Sequence, residues 1–128
     1  MRLWDAKSGA ALGPPLNAKA GIVYDVAFSP DGRTIASAQG DGTVRLWKAK
    51  SGAQQGSPLS GHTGMVKLVL FSPDGREIVS ADSISSIRLW DAKGGAAIGS
   101  PLYNDVYVGL AEKPRSIAVQ LIPEPVSR

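Results

Sequence analysis

The hexapeptides at 2–7, 45–50 and 88–93 read RLWDAK, RLWKAK and RLWDAK, each beginning 43 residues after the one before. A constant interval means that no residue has been gained or lost between copies. Other segments keep it: GPPL at 13–16 is followed by GSPL at 56–59 and 99–102, and FSPDGR at 28–33 returns at 71–76. Self-similarity at a period of about 20–50 residues marks architectures that repeat one supersecondary unit. The chain is one unit used about three times, and it is best read unit by unit.

Within a unit the local signals are β throughout. The run Ile22-Val23-Tyr24-Asp25-Val26-Ala27-Phe28 is rich in β-branched and aromatic residues. It stops at Ser29-Pro30-Asp31-Gly32, where proline presets φ for a type I turn and glycine follows at its last position. Thr34 to Ala38 reads as a second strand, closed by Gln39-Gly40-Asp41-Gly42, whose Asp-Gly pair suits a tight hairpin turn. Thr43 to Trp47 is a third strand, with Val44 and Leu46 on one face and Thr43, Arg45 and Trp47 on the other. Ala53 to Leu59, with Pro58, predicts a weaker fourth segment at an edge. The unit is expected to be a four-stranded antiparallel meander.

The order GH, then V-x-x-V-x-F-S-P-D-G, then S-A-x-x-D-G-T-V-R-L-W-D, resembles the WD-repeat β-propeller family over residues 1 to about 103. The Trp-Asp dipeptide, both turns and the period agree with one another, the period falling within the range of about 40–45 known for such repeats. The resemblance implies blades standing radially around a channel, with strands a to d running from the inside to the rim. It implies segments at 1–17 (strands c and d of a partial blade), 18–60 (a blade), 61–103 (a blade) and 104–128 (a divergent tail). The fold class expected is all-β: four-stranded antiparallel blades of a WD-repeat propeller, too few for one chain to close a ring.

The resemblance also implies a structural relay in each blade, in which a GH histidine, a strand-b Ser or Thr, an Asp in the b–c turn and the strand-c Trp satisfy one another's buried hydrogen bonds. The matching residues are Ser37, Asp41 and Trp47 in the first full unit, and His62, Ser80 and Trp90 in the second. Each set is short of one member. Lys19 stands 43 residues before His62, and Ile84 stands 43 after Asp41. Asp82 precedes Ile84 by two and needs a rearranged turn to substitute. The expectation is that neither unit completes the relay.

The tail breaks the period: position 114, 43 after Phe71, is Pro114. Its two strand-like runs, Val106 to Ala111 and Ser116 to Ile122, leave three outcomes open. They could supply strands a and b to the N-terminal c and d in a split blade. Two or more chains could complete a ring as a homo-oligomer. The favoured expectation is a fragment of a longer product, since closed propellers hold about 4–8 blades.

No enzymatic inventory is present. His62 is the only histidine and cysteine is absent, so no catalytic pair, zinc set or thiolate site is expected, and no phosphate loop or cofactor motif occurs. Gly94 to Gly99 lacks G-x-G-x-x-G spacing, and Asp31 and Asp74 are expected to accept backbone hydrogen bonds rather than hold a metal. The net charge of +3 is spread through the units, which argues against a dedicated nucleic-acid surface, although Arg and Trp alternate at 45 and 47. No run approaches the roughly 18 apolar residues of a membrane span. Lack of cysteine suits a reducing compartment, and a cytoplasmic location is expected.

The resulting expectation is a noncatalytic protein-interaction scaffold. By the resemblance, a protein partner docks on the d–a and b–c turns, with Ile22, Tyr24, Gln39, Thr63, Met65, Lys67 and Ser83 as contact candidates. The second reading is the sensor or autoinhibitory region of a larger signalling protein, such as a kinase or nucleotide-switch ATPase.

Overall fold

The computed structural model describes residues 1–13, 15–16, 21–84 and 86–103. Its strands form two antiparallel sheets. The first holds β1 (Val23–Phe28), β2 (Thr34–Gln39) and β3 (Val44–Lys48), in that order. The second holds β4 (Val66–Phe71), β5 (Glu77–Asp82), β6 (Ser86–Asp91) and β7 (Ala97–Tyr103), also in chain order. The structure is all-β, as the sequence predicts. The tail runs at 106–111 and 116–122 lie outside the described residues.

The turns between first and second strands are built by the Ser-Pro-Asp-Gly segment itself. The Ser29 hydroxyl donates to Asp31 Oδ1 at 2.6 Å, and its oxygen accepts the Thr34 N–H at 3.0 Å. Ser72, Asp74 and Glu77 repeat both contacts at the same distances. Asp31 and Asp74 also accept the N–H of Arg33 and Arg76. The serine hydroxyl, then that backbone donor, holds each carboxyl below its ordinary value.

The fourth segment differs between sheets. After β3 it pairs through isolated bridges, Trp47 with Gln54 and Val44 with Leu59, rather than a continuous ladder. Pro58 has no N–H to give, and Gly56 has φ of 70°. The equivalent β7 is longer, but its register also slips, between Ile87 and Leu89.

Residues 1–16 carry the same hairpin bonds one period earlier. Asp5 N–H donates to Ala10, Gly9 to Asp5, Leu12 to Leu3 and Leu16 to Met1. Lys48, Gly52, Gln55 and Leu59 make the matching four bonds.

The core lies between these units. On one face of the first sheet, Ala36, Ala38, Val44 and Leu46 pack with Val69, Phe71, Ile78 and Trp90 of the second, together with Leu59 and Val66. On its other face, Ile35 and Trp47 pack with Leu16, flanked by Met1, Leu3 and Ala49. The trio Leu16, Ile35 and Trp47 is the trio Leu59, Ile78 and Trp90 shifted by one period. A single seam is thus built twice.

Each seam has a seat. Gly52 and Gly95 adopt φ of 75° and 76°, and a Cβ on either would stand 2.8 Å from the Cδ2 of Leu16 or Leu59 respectively. Only glycine meets both demands, left-handed backbone and room for the leucine. We expect Gly95→Ala to cost about 1–2 kcal/mol from backbone strain alone and Leu59→Ala about 2–5 kcal/mol. The double variant should lose less than the sum, because the shortened side chain removes the clash; urea unfolding midpoints of the three proteins check this.

Candidate functional site

Trp90 lies on β6 facing the seam, where its indole N–H is shut away from water and needs an acceptor. It donates to Ser80 Oγ at 2.8 Å. The Ser80 hydroxyl donates in turn to His62 Nε2 at 2.6 Å, and His62 Nδ1–H donates to Asp82 Oδ2 at 2.8 Å, the tautomer being set by this network. Asp82 Oδ1 accepts the N–H groups of Ile84 and Ser86, both at 3.0 Å.

The expectation that neither unit completes the relay is therefore corrected for the second sheet. Asp82 substitutes because it is the last residue of β5 and gathers the β5–β6 turn around its own carboxylate. Burial opposes its ionisation, but the Ser86 N–H, His62 and the Ile84 N–H outweigh burial, so its carboxyl titrates below the ordinary value. Burial is also the main influence on His62 and lowers its pKa despite the opposing pull of Asp82, with Arg88 adding to the depression. His62 is thus neutral at pH 7, as a ring accepting the Ser80 proton must be.

The first sheet solves the same problem differently. Trp47 donates to Ser37 Oγ at 2.9 Å, and Gln39 Nε2 donates to the same oxygen at 2.7 Å. Gln39 stands one period before Asp82. Its placement among partner contacts is corrected: it is fully buried, because its amide turns inward to Ser37. Asp41 does not join the relay. Its carboxylate accepts the Thr43 N–H and hydroxyl and pairs with Arg45 at 3.2 Å. Burial opposes its ionisation too, but those Thr43 and Arg45 contacts prevail and lower its pKa. Lys19 lies outside the described residues.

Ser80, His62 and Asp82 have the connectivity of a hydrolytic triad, Oγ to Nε2 and Nδ1 to carboxylate. The serine is nevertheless fully buried, and its oxygen already accepts the Trp90 indole. A substrate carbonyl has no approach to it. The arrangement ties the loop at His62 to β5 and β6.

The remaining contact candidates do gather at one end of the sheets. Register shifts between Val23 and Asp25 and between Val66 and Leu68 make Tyr24 and Lys67 the unpaired residues of two β-bulges one period apart. Bulges re-aim side chains. Here they bring Lys67 Nζ over the Tyr24 ring, 3.6 Å from its centroid, while the Tyr24 hydroxyl donates to Met65 Sδ at 3.3 Å. Nearby, Asp25 accepts the Val69 N–H across the seam at 3.1 Å. Ile22 is exposed beside Gly40, whose N–H it binds. Thr63 and Ser83 are exposed, and the Ser83 N–H donates to the Met65 carbonyl. Ile84, whose place in the period marks only the absent relay carboxylate, is exposed beside Gly64 and adds apolar surface to this end.

At the opposite end a cleft is lined by Ser29, Asp31, Asp74, Arg76, Glu77 and Lys93 among others. Asp31 and Asp74 are occupied with their own turns. Among the described residues no group of three or more His, Cys, Asp or Glu is placed to hold a metal ion.

A family model described as WD domain, G-beta repeat matches residues 15–48 and 53–91, more than half of the chain. A search of curated proteins finds no match.

Two outcomes follow from the relay. Because the folded-state pKa of His62 lies below its ordinary 6.5, the folded state takes up its proton less readily than the unfolded chain. The stability it confers is fully present above that value and is lost as pH falls beneath it; Asp82, lowered from 3.8, acts in the same direction at lower pH. Urea midpoints should fall between about pH 7 and pH 5, and His62→Gln should flatten that fall. Asp82→Ala should cost about 3–5 kcal/mol by stranding buried partners, whereas Asp41→Ala should cost about 1 kcal/mol or less; thermal or urea unfolding ranks the two.

Proposed function

The chain belongs to the WD-repeat family, and from that premise we propose that it is a noncatalytic protein-interaction platform whose partner docks on the end bearing Ile22, Tyr24, Met65, Lys67 and Ile84. WD repeats generally serve as protein-interaction scaffolds and are generally noncatalytic. The observation that carries the placement is the pair of bulges. They put a tyrosine and a lysine from neighbouring sheets into one cation–π contact, amid exposed Ile22, Met65 and Ile84.

Such an end combines what a docking surface needs. Apolar side chains stand proud of a rigid strand scaffold, so little ordering entropy is lost on binding. A tyrosine supplies an amphipathic anchor, and the lysine head above it offers charge at the rim. The Tyr24–Lys67 contact contributes about 0.5–1 kcal/mol at an exposed site, which biases both side chains toward this arrangement before a partner arrives.

Photo-crosslinking groups placed at Met65 and at Pro73, on opposite ends, test the placement. Partners trapped from position 65 are identified, purified and titrated against the chain. Met65→Asp and Ile84→Asp should each weaken binding about tenfold or more with unchanged circular dichroism. Binding that ignores both changes and responds to substitutions around Pro73 overturns the reading.

A further inference from the structure

Two arginines one period apart are answered differently. Arg45 on β3 and Arg88 on β6 stand in register with Ser37 and Ser80. Each keeps its Nε shut away from water with no partner among the described residues, so the guanidinium is held by its inner edge. On Arg45 the outer edge is taken: Nη2 lies 3.2 Å from Asp41 Oδ2, a carboxylate that Thr43 fixes through its N–H and hydroxyl. One period after Asp41 stands Ile84, exposed to solvent. Among the described residues nothing replaces the missing carboxylate, and the Arg88 side chain forms no ion pair or hydrogen bond with any of them. A Cβ on Gly61 would stand 3.1, 3.1 and 3.2 Å from the Arg88 Cζ, Nη1 and Nε, so the plane of the group rests against this glycine, whose φ is 153°. The neighbouring acids are occupied. Asp82 holds His62 and two turn N–H groups, Asp25 holds the Val69 N–H, and the other cation here, Lys67, faces the Tyr24 ring. Apolar surface adjoins the arginine along one short loop: Gly61 abuts Arg88, Gly64 abuts Ile84, and Met65 follows, exposed.

We propose, resting on the docking end put forward above, that the partner presents an acidic peptide segment whose carboxylate binds Arg88 as Asp41 binds Arg45. An apolar side chain beside that carboxylate lies on Ile84 and Met65. The first unit thus displays within the chain the contact that the second leaves for a partner. A guanidinium suits this role, because it stays charged and its parallel N–H groups match the two oxygens of a carboxylate. Its half-buried setting screens the pair from salt less completely than open water would. A polynucleotide also carries anions, but it brings no aliphatic side chain to Ile84 and Met65, so the composition of this end favours peptide.

Two short fluorescent peptides test this on the full chain, one built of Glu-Glu-Leu repeats and one with Gln at every Glu. The acidic peptide should bind about tenfold tighter, and the margin should narrow as salt rises. Arg88→Gln should abolish the margin, and Arg88→Lys should keep part of it. Lys93→Gln, the same loss of charge at the opposite end, should leave it intact. Ile84→Asp, which leaves Arg88 in place, supplies the carboxylate from within the chain and should weaken the acidic peptide more than the neutral one. Peptides that bind alike, yet are both lost with Met65→Asp, overturn the preference for acid while the docking end stands. Binding that ignores Met65→Asp and Arg88→Gln together overturns the docking end as well. A margin that survives Arg88→Gln, a margin that Lys93→Gln removes equally, or an acidic peptide that fails to bind each overturns the proposal. An oligothymidylate that binds tighter than the acidic peptide also overturns it, in favour of nucleic acid.

Discussion

A sheet that is apolar on both faces cannot stand alone, and that constraint organises this molecule. β2 and β5 are buried along nearly their whole lengths, Ile35 facing one neighbour and Ala36 the other. Stacking supplies each face with its complement, so the transfer of apolar area out of water accrues across seams between units rather than inside any one of them. The local elements follow from this. Tight turns keep the strands short enough to register with their neighbours, and Trp47 and Trp90 sit in the seams, where a large flat side chain fills the gap between neighbouring units.

Burying that indole raises a second demand, since its N–H must be answered away from water. Both sheets answer it with a serine ten residues earlier on the adjacent strand, at 2.9 and 2.8 Å. They diverge in how the serine is held. In the second sheet a neutral histidine and an ionised aspartate extend the chain to the turn backbone. In the first, a buried glutamine amide donates directly, and its own Oε1 has no partner among the described residues. The two units thus answer one buried donor by different side chains.

Much of the fold was legible because its rules are local and repeated. Ser-Pro-Asp-Gly names its own turn, the Val44 and Leu46 alternation names a face, and the period transfers both to the next unit. The relay was legible in Ser37, Trp47, His62, Ser80 and Trp90, whose bonds lie between well-aligned strands. It was not legible at Asp82, because a carboxylate two residues early reaches the histidine only when the turn is wound around it, and turn winding is a backbone property that residue identity fixes weakly. Gln39 was misplaced for the same reason: as the last residue of β2 it looked like turn surface, yet the strand's alternation carries it inward. Tyr24 and Lys67 were named separately. Their meeting was not legible, because the bulges that aim them at each other are invisible in composition.

The leucine seated on a left-handed glycine has a consequence for how such a chain can grow. Leu16 rests on Gly52 and Leu59 on Gly95, so each unit holds the socket for the unit before it and the plug for the unit after it. A duplicated stretch of one whole period therefore arrives with both halves of its joint already fitted, wherever in the array it lands. A duplication of any other length separates plug from socket. The joint thus acts as a reading frame written in three dimensions, admitting whole copies and rejecting partial ones, and near-identical units are what a lineage extended under that rule would accumulate.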